Sequence, residues 1–149
     1  MHVTGMVHVN VNCSDFDRSL VFYERLGFRL LAEVPGTNTP AVAAAVGMPP
    51  YRVRGGILHL PGESTFIDLL EWIDPRDDAA PYPHLYHLGL ARIALRTTDL
   101  DADLAELAEH GVELIGPPAD VPWEGQPTTR IACFADPDGT VIELVELPG

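Results

Sequence analysis

The feature that most constrains this chain is that it repeats itself. A shift of 84 positions lays His8 on Arg92, Ser14 on Thr98, Asp15 on Asp99, Asp17 on Asp101, Leu20 on Leu104, Gly27 on Gly111 and Leu30 on Leu114 without a gap. The closing segments match at a shift of 75, which puts Ile67-Asp68-Leu69-Leu70-Glu71 on Ile142-Glu143-Leu144-Val145-Glu146. The first copy is therefore longer between its helix and its last strand, and the extra residues fall in the segment 35–50. Each copy reads as strand, helix and three further strands, so the fold must place two copies of one βαβββ unit.

Periodicity defines the elements of the first copy. Residues 7–13 alternate strictly, with valines on one face and His8, Asn10 and Asn12 on the other. Ser14-Asp15-Phe16-Asp17 supplies capping residues and an acidic first turn. Phe16, Leu20, Tyr23 and Leu26 then form an apolar stripe that ends at Gly27. Strands are expected over 28–33, 52–60 and 65–72, and a short helix of one or two turns over 41–46. A Pro- and Asp-rich connection follows at 74–83.

The second copy predicts a strand over 91–96 and a helix with the stripe Leu100, Leu104 and Leu107, stopped at Gly111. It then predicts a strand over 112–115, a proline-rich loop over 116–127 and a strand over 128–134. Asp136-Pro137-Asp138-Gly139 suits a type I turn, and residues 140–146 form the last strand. The expected fold is α+β: two tandem βαβββ modules, 1–76 and 91–149 joined by a linker loop 77–90, forming one domain with a cupped, barrel-like mixed sheet around a cavity.

Composition removes whole classes of chemistry. All nine basic side chains are Arg, so Schiff-base and P-loop lysine mechanisms have no residue to use. Serine stands only at 14, 19 and 64, none in a nucleophile-elbow setting. A formal charge of −13 is wrong for a nucleic-acid partner. No apolar run is long enough to span a bilayer, and a cytoplasmic location is expected. Cys13 and Cys133 match no metal or redox spacing and read as buried thiols.

The duplication, the opening His8 with Ser14-Asp15-x-Asp17-Arg18-Ser19-Leu20-x-Phe22-Tyr23-x-x-Leu26-Gly27, and the closing Asp136-Pro137-Asp138-Gly139-x-x-Ile142-Glu143-Leu144 resemble the vicinal oxygen chelate superfamily. That superfamily includes glyoxalase I, methylmalonyl-CoA epimerase, extradiol dioxygenases and bleomycin-resistance proteins, so the resemblance specifies a fold more narrowly than a reaction. In metal-binding members four ligands come from the first and last strands of each module. The resemblance places those positions on His8, Asp68, Arg92 and Glu143. Parity agrees, since each lies opposite the apolar face of its strand.

Arg92 departs from the family pattern, because a guanidinium stays protonated and has no lone pair for a cation. Two expectations follow from the resemblance. Either His8, Asp68 and Glu143 form a reduced set for a divalent metal (Fe, Mn, Ni, Zn or Mg), or Arg92 takes the metal's place beside the two carboxylates. In the second case His8 and Glu143 serve as the proton-transfer pair.

Asn10, Arg96, Trp72 and Met48 are expected to contact the substrate, with Arg52 and Arg54 at the pocket mouth. Glu71 and Glu146 are expected to be exposed at strand ends, and His59, His84 and His87 to be solvated or packed. The alanine-rich insertion suits a bulkier ligand than a three-carbon aldehyde, which disfavours glyoxalase I activity. The expected function is therefore proton-transfer chemistry, an isomerisation, epimerisation, cyclisation or lyase step, on a carbonyl-bearing small molecule. The alternatives are metal-free drug sequestration and a metal-dependent dioxygenase or lyase. A homodimer is expected.

Overall fold

The protein is described by a computed structural model covering residues 2–37, 39–81, 84–86 and 88–148. The chain divides into two compact units, Met1–Ala79 and Ala80–Gly149. In the first, β1 (His8–Cys13), α1 (Phe16–Arg25), β2 (Arg29–Glu33), α2 (Pro40–Ala45), β3 (Arg52–His59) and β4 (Phe66–Asp74) follow in order. The sheet runs β1-β4-β3-β2, with β1 parallel to β4 and the other pairs antiparallel.

Helix α1 begins where Asp15 accepts a hydrogen bond from the Arg18 amide, and ends at Gly27, whose φ of 91° is open to glycine. Its buried face is Phe16, Ser19, Phe22 and Tyr23, while Leu20 and Leu26 of the expected stripe are only half-buried. The helix is turned to bury its larger apolar surfaces, the adjoining rings at 22 and 23. Tyr23 meets Phe22 and Phe28 edge-on at centroid distances of 5.4 and 5.9 Å. With Val11, Leu58, Ile67 and Leu69 these rings make the core of the unit. Gly56 leaves room for the Phe16 ring: a Cβ there would overlap the Leu30 side chain and crowd the Ala32 carbonyl and the Phe16 ring.

The second unit contains β5 (Ile93–Thr97), α3 (Leu100–Glu109), β6 (Ala119–Trp123), β7 (Gln126–Ala135) and β8 (Val141–Glu146), in the sheet order β5-β8-β7-β6. Again the first and last strands are parallel. Leu100, Leu107, Phe134, Ile142 and Leu144 form its core.

One expectation is corrected here. The strand predicted at 112–115 is reduced to a single bridge between Leu114 and Phe134, and the second strand of the module forms inside the segment expected to be loop. Pro122 is tolerated because β6 is an edge strand whose pairing shifts between Val121 and Trp123. In the turn before β8, Asp136 Oδ1 accepts from the amides of Asp138 and Thr140, and Gly139 has a φ of 96°.

The fold class is thus α+β, two tandem βαβββ modules, each with its own open four-stranded mixed sheet. Among the described residues no helix is long and apolar enough to cross a membrane.

Candidate functional site

In each sheet one face packs on its helix, and the other carries the polar side chains singled out by parity. On the first sheet, the parallel register sets His8 beside Phe66, Asn10 beside Asp68 and Asn12 beside Leu70. Asn10 Nδ2 donates to Asp68 Oδ2 at 3.1 Å. Asp68 Oδ1 is buried and accepts no hydrogen bond from the described residues. Four residues further along β4, Trp72 Nε1 donates to Asn12 Oδ1 at 2.8 Å, and its ring lies 4.8 Å from that of Tyr51.

Towards the other end of β4, the His59 ring lies 5.6 Å from the Phe66 ring, with its Nε2 3.2 Å from the Glu63 carbonyl. His8 itself is exposed, and Asp68 takes its hydrogen bond from Asn10 rather than from His8. Met48 is half-buried just beyond α2, held by its amide to the Ala43 carbonyl.

On the second sheet the register sets Glu143 between Ala94 and Cys133. Ala94 stands where the first module has Asn10 and offers no donor. Glu143 instead accepts from Arg92 Nε at 3.0 Å. The carboxylate is buried, with 7% of the residue exposed, whereas the Arg92 side chain is 44% exposed. This ion pair therefore joins a desolvated acid to a partly hydrated cation. Burial first, and then the neighbouring Glu143 carboxylate, push the Cys133 thiol up, against an opposing pull from Arg92. Arg96 lies beside Val145 and is exposed.

The structure thus joins Arg92 to Glu143 and Asn10 to Asp68. A resident metal does not fit these donors as they are engaged. Asp68 Oδ2 is held by an amide, Glu143 by a guanidinium, and Arg92 can donate no lone pair. Among the described residues no group of three or more His, Cys, Asp or Glu is gathered for a metal ion.

Glu71 and Glu146 correct a second expectation. Both are half-buried on the helix side of their sheets rather than exposed. Glu71 accepts from the Phe16 amide and Glu146 from the Leu100 amide, each at 3.1 Å, so each closes the first turn of its module's helix. Arg54, expected at a pocket mouth, lies with them. It pairs with Asp17 at 2.6 Å and covers the Phe16 ring at 5.1 Å. Arg130 does the same work in the second unit, bonding Asp101 at 2.7 Å and Glu146 at 3.1 Å.

These bonds hold the carboxyls of Asp17 and Asp101 below their ordinary value and raise the two guanidiniums. The repeat itself was the available signal for these clasps, since Glu71 and Glu146 are equivalent and share the parity of core leucines. His84 stacks on Tyr86 at 4.7 Å, and His87 lies outside the described residues.

Two duplicated βαβββ modules with their polar positions on the first and last strands define the class. The sequence profile of the Glyoxalase/Bleomycin resistance protein/Dioxygenase superfamily matches residues 5–144, and the chain belongs to that superfamily. It is 30% identical to YwkD of Bacillus subtilis, over 98% of this chain and 99% of that protein. A glyoxalase family protein from Bacillus cereus has the same fold, with a TM-score of 0.83 at 22% identity over 100% of this chain and 97% of the other. TnmS3, an antibiotic binding protein from Streptomyces sp. CB03234, matches with a TM-score of 0.66 at 30% identity over 99% of both chains.

Proposed function

We propose that this protein is a ligand-binding member of the superfamily that sequesters an aromatic, partly hydrophobic small molecule without a resident metal. The observation that carries this is the Arg92–Glu143 ion pair. It commits one oxygen of the last-strand carboxylate to a fixed cation within the protein, and a guanidinium already seated there repels a metal cation. The first sheet supports the same assignment. Tyr51, Trp72 and Phe66 offer aromatic surface, and the tryptophan is oriented by Asn12. The likeness to an antibiotic binding protein at 30% identity supports an antibiotic as the class of ligand.

Expression in an antibiotic-sensitive host tests the proposal. Protection is expected, with the compound recovered chemically unchanged when the purified complex is denatured. Recovery of a rearranged or cleaved compound would overturn sequestration.

That outcome would support a second reading, favoured by the burial of Glu143: proton-transfer catalysis with Arg92 as the electrophilic cation. Substitution Glu143→Gln would abolish turnover in that case, and in a sequestering protein would leave the compound unchanged.

A further inference from the structure

The two equivalent carboxylates are not in the same state. Glu143 carries its own cation in Arg92. Asp68 has only the neutral amide of Asn10 on one oxygen, and its other oxygen is buried with no donor among the described residues. An acceptor withdrawn from water and left unbonded costs free energy that a bound donor recovers, and a charged donor recovers most. The surroundings sharpen this. Phe66 and Leu70 flank Asp68 on β4, and Ile57 lies beside it on β3. Apolar neighbours weaken screening, so the carboxylate's charge acts strongly on a group placed against it.

Further along the same face of β4 stands Trp72, with Tyr51 against it, a surface for a flat ring. The distance from residue 68 to residue 72 along a strand is about 13 Å. That spacing suits a ligand with a fused-ring body and an amine on a short side group.

We propose that Asp68 is the specificity-determining residue for this ligand: a turn of its half-buried side chain presents the unbonded Oδ1 to a protonated amine, while the ligand's rings lie against Leu70 and Trp72. This rests on the binding role proposed above and names the chemistry it selects. The asymmetry also sets orientation, because the ligand's cation is drawn to the Asp68 carboxylate and not to the one that Arg92 already neutralises.

Isothermal titration calorimetry with three probes tests it: an anthracycline bearing its free amino sugar, the same compound N-acetylated, and the aglycone. The wild-type chain is expected to bind the free amine at least about tenfold more tightly than the other two. Asp68→Asn is expected to bind all three equally, at the level of the N-acetyl compound, and Asp68→Glu to keep the preference. The wild-type comparison needs no variant, and a melting curve for Asp68→Asn no lower than wild type excludes misfolding as the cause.

Equal binding of the three probes by the wild-type chain, or a preference that survives in Asp68→Asn, would overturn the inference and leave the binding role standing. Failure of the wild-type chain to bind any of the three would overturn both.

Discussion

The last strands of the two modules, β4 and β8, are built alike on one face and unlike on the other. Towards the helices, Ile67, Leu69 and Glu71 do what Ile142, Leu144 and Glu146 do: two apolar side chains enter the core and the acid takes the first amide of the helix. Away from the helices, Asp68 meets a neutral amide and keeps an unbonded oxygen, whereas Glu143 meets a guanidinium. One register position explains the divergence. Asn10 can reach its neighbour on β4, while Ala94 cannot bond its neighbour on β8, so Glu143 is left to Arg92, two residues upstream of Ala94. The face that maintains the fold is kept in both copies, and the opposite face differs.

The largest effect expected from breaking this comparison is at Arg92. Arg92→Met should leave a buried carboxylate without its cation and cost about 2 kcal/mol of unfolding free energy in urea. That is less than the roughly 3–5 kcal/mol typical of a fully buried pair, because the Arg92 head is half-hydrated. Adding Glu143→Leu to the same chain should recover most of the loss, since an apolar pair requires no desolvation of charge.

Next in size are the shared clasps. Glu71→Ala and Glu146→Ala should each cost about 1 kcal/mol or somewhat more by removing a charged acceptor from a helix amide. Each also takes a partner from an arginine, and Glu146→Ala should be the worse of the two because Arg130 lies 3.1 Å from Glu146 whereas Arg76 lies 3.6 Å from Glu71. Equal stability of either variant and wild type in a urea titration would remove that clasp from the account.

A smaller effect lies in the acid limb of stability. Asp17 and Asp101 have carboxyls held below the ordinary value by Arg54 and Arg130. Each therefore contributes stability that is present above the ordinary carboxyl pKa and is lost as pH falls through the lowered, folded value. Urea midpoints followed from about pH 5 to about pH 2 should drop less steeply in Arg54→Gln and Arg130→Gln than in wild type.

Smallest of all should be Asn10→Ala. It removes one exposed, neutral-donor hydrogen bond and should change stability by about 0.5 kcal/mol. A loss as large as that of Arg92→Met would erase the contrast between the two faces.

Much of this was legible in the chain. The duplication, the glycine stops at 27 and 111, and the turn at 136–139 all depend on local chemistry: a left-handed cap residue, or an Asp that bonds its own turn. Strand parity was legible too, and it put Asp68 and Glu143 on the correct faces. What misled was wherever a distant contact outweighed the local pattern. Pro117, Pro118 and Pro122 marked 116–127 as loop, yet an edge position lets β6 form there. Of the stripe expected on α1, Phe16 and Tyr23 are buried, while Leu20 and Leu26 gave way to Ser19 and Phe22. Glu71 and Glu146 looked like solvated strand ends until the helix amides were brought to them.

The sequence by itself determined that there would be two copies of one module, which faces of their strands would be polar, and that the residue at 92 could give no lone pair to a cation. Those follow from side-chain period and from the chemistry of single residues. Which partner each carboxylate would meet was decided only by the tertiary structure. A parallel register between strands far apart in the chain chooses the neighbour, and that neighbour makes one carboxylate a closed ion pair and leaves the other an open acceptor.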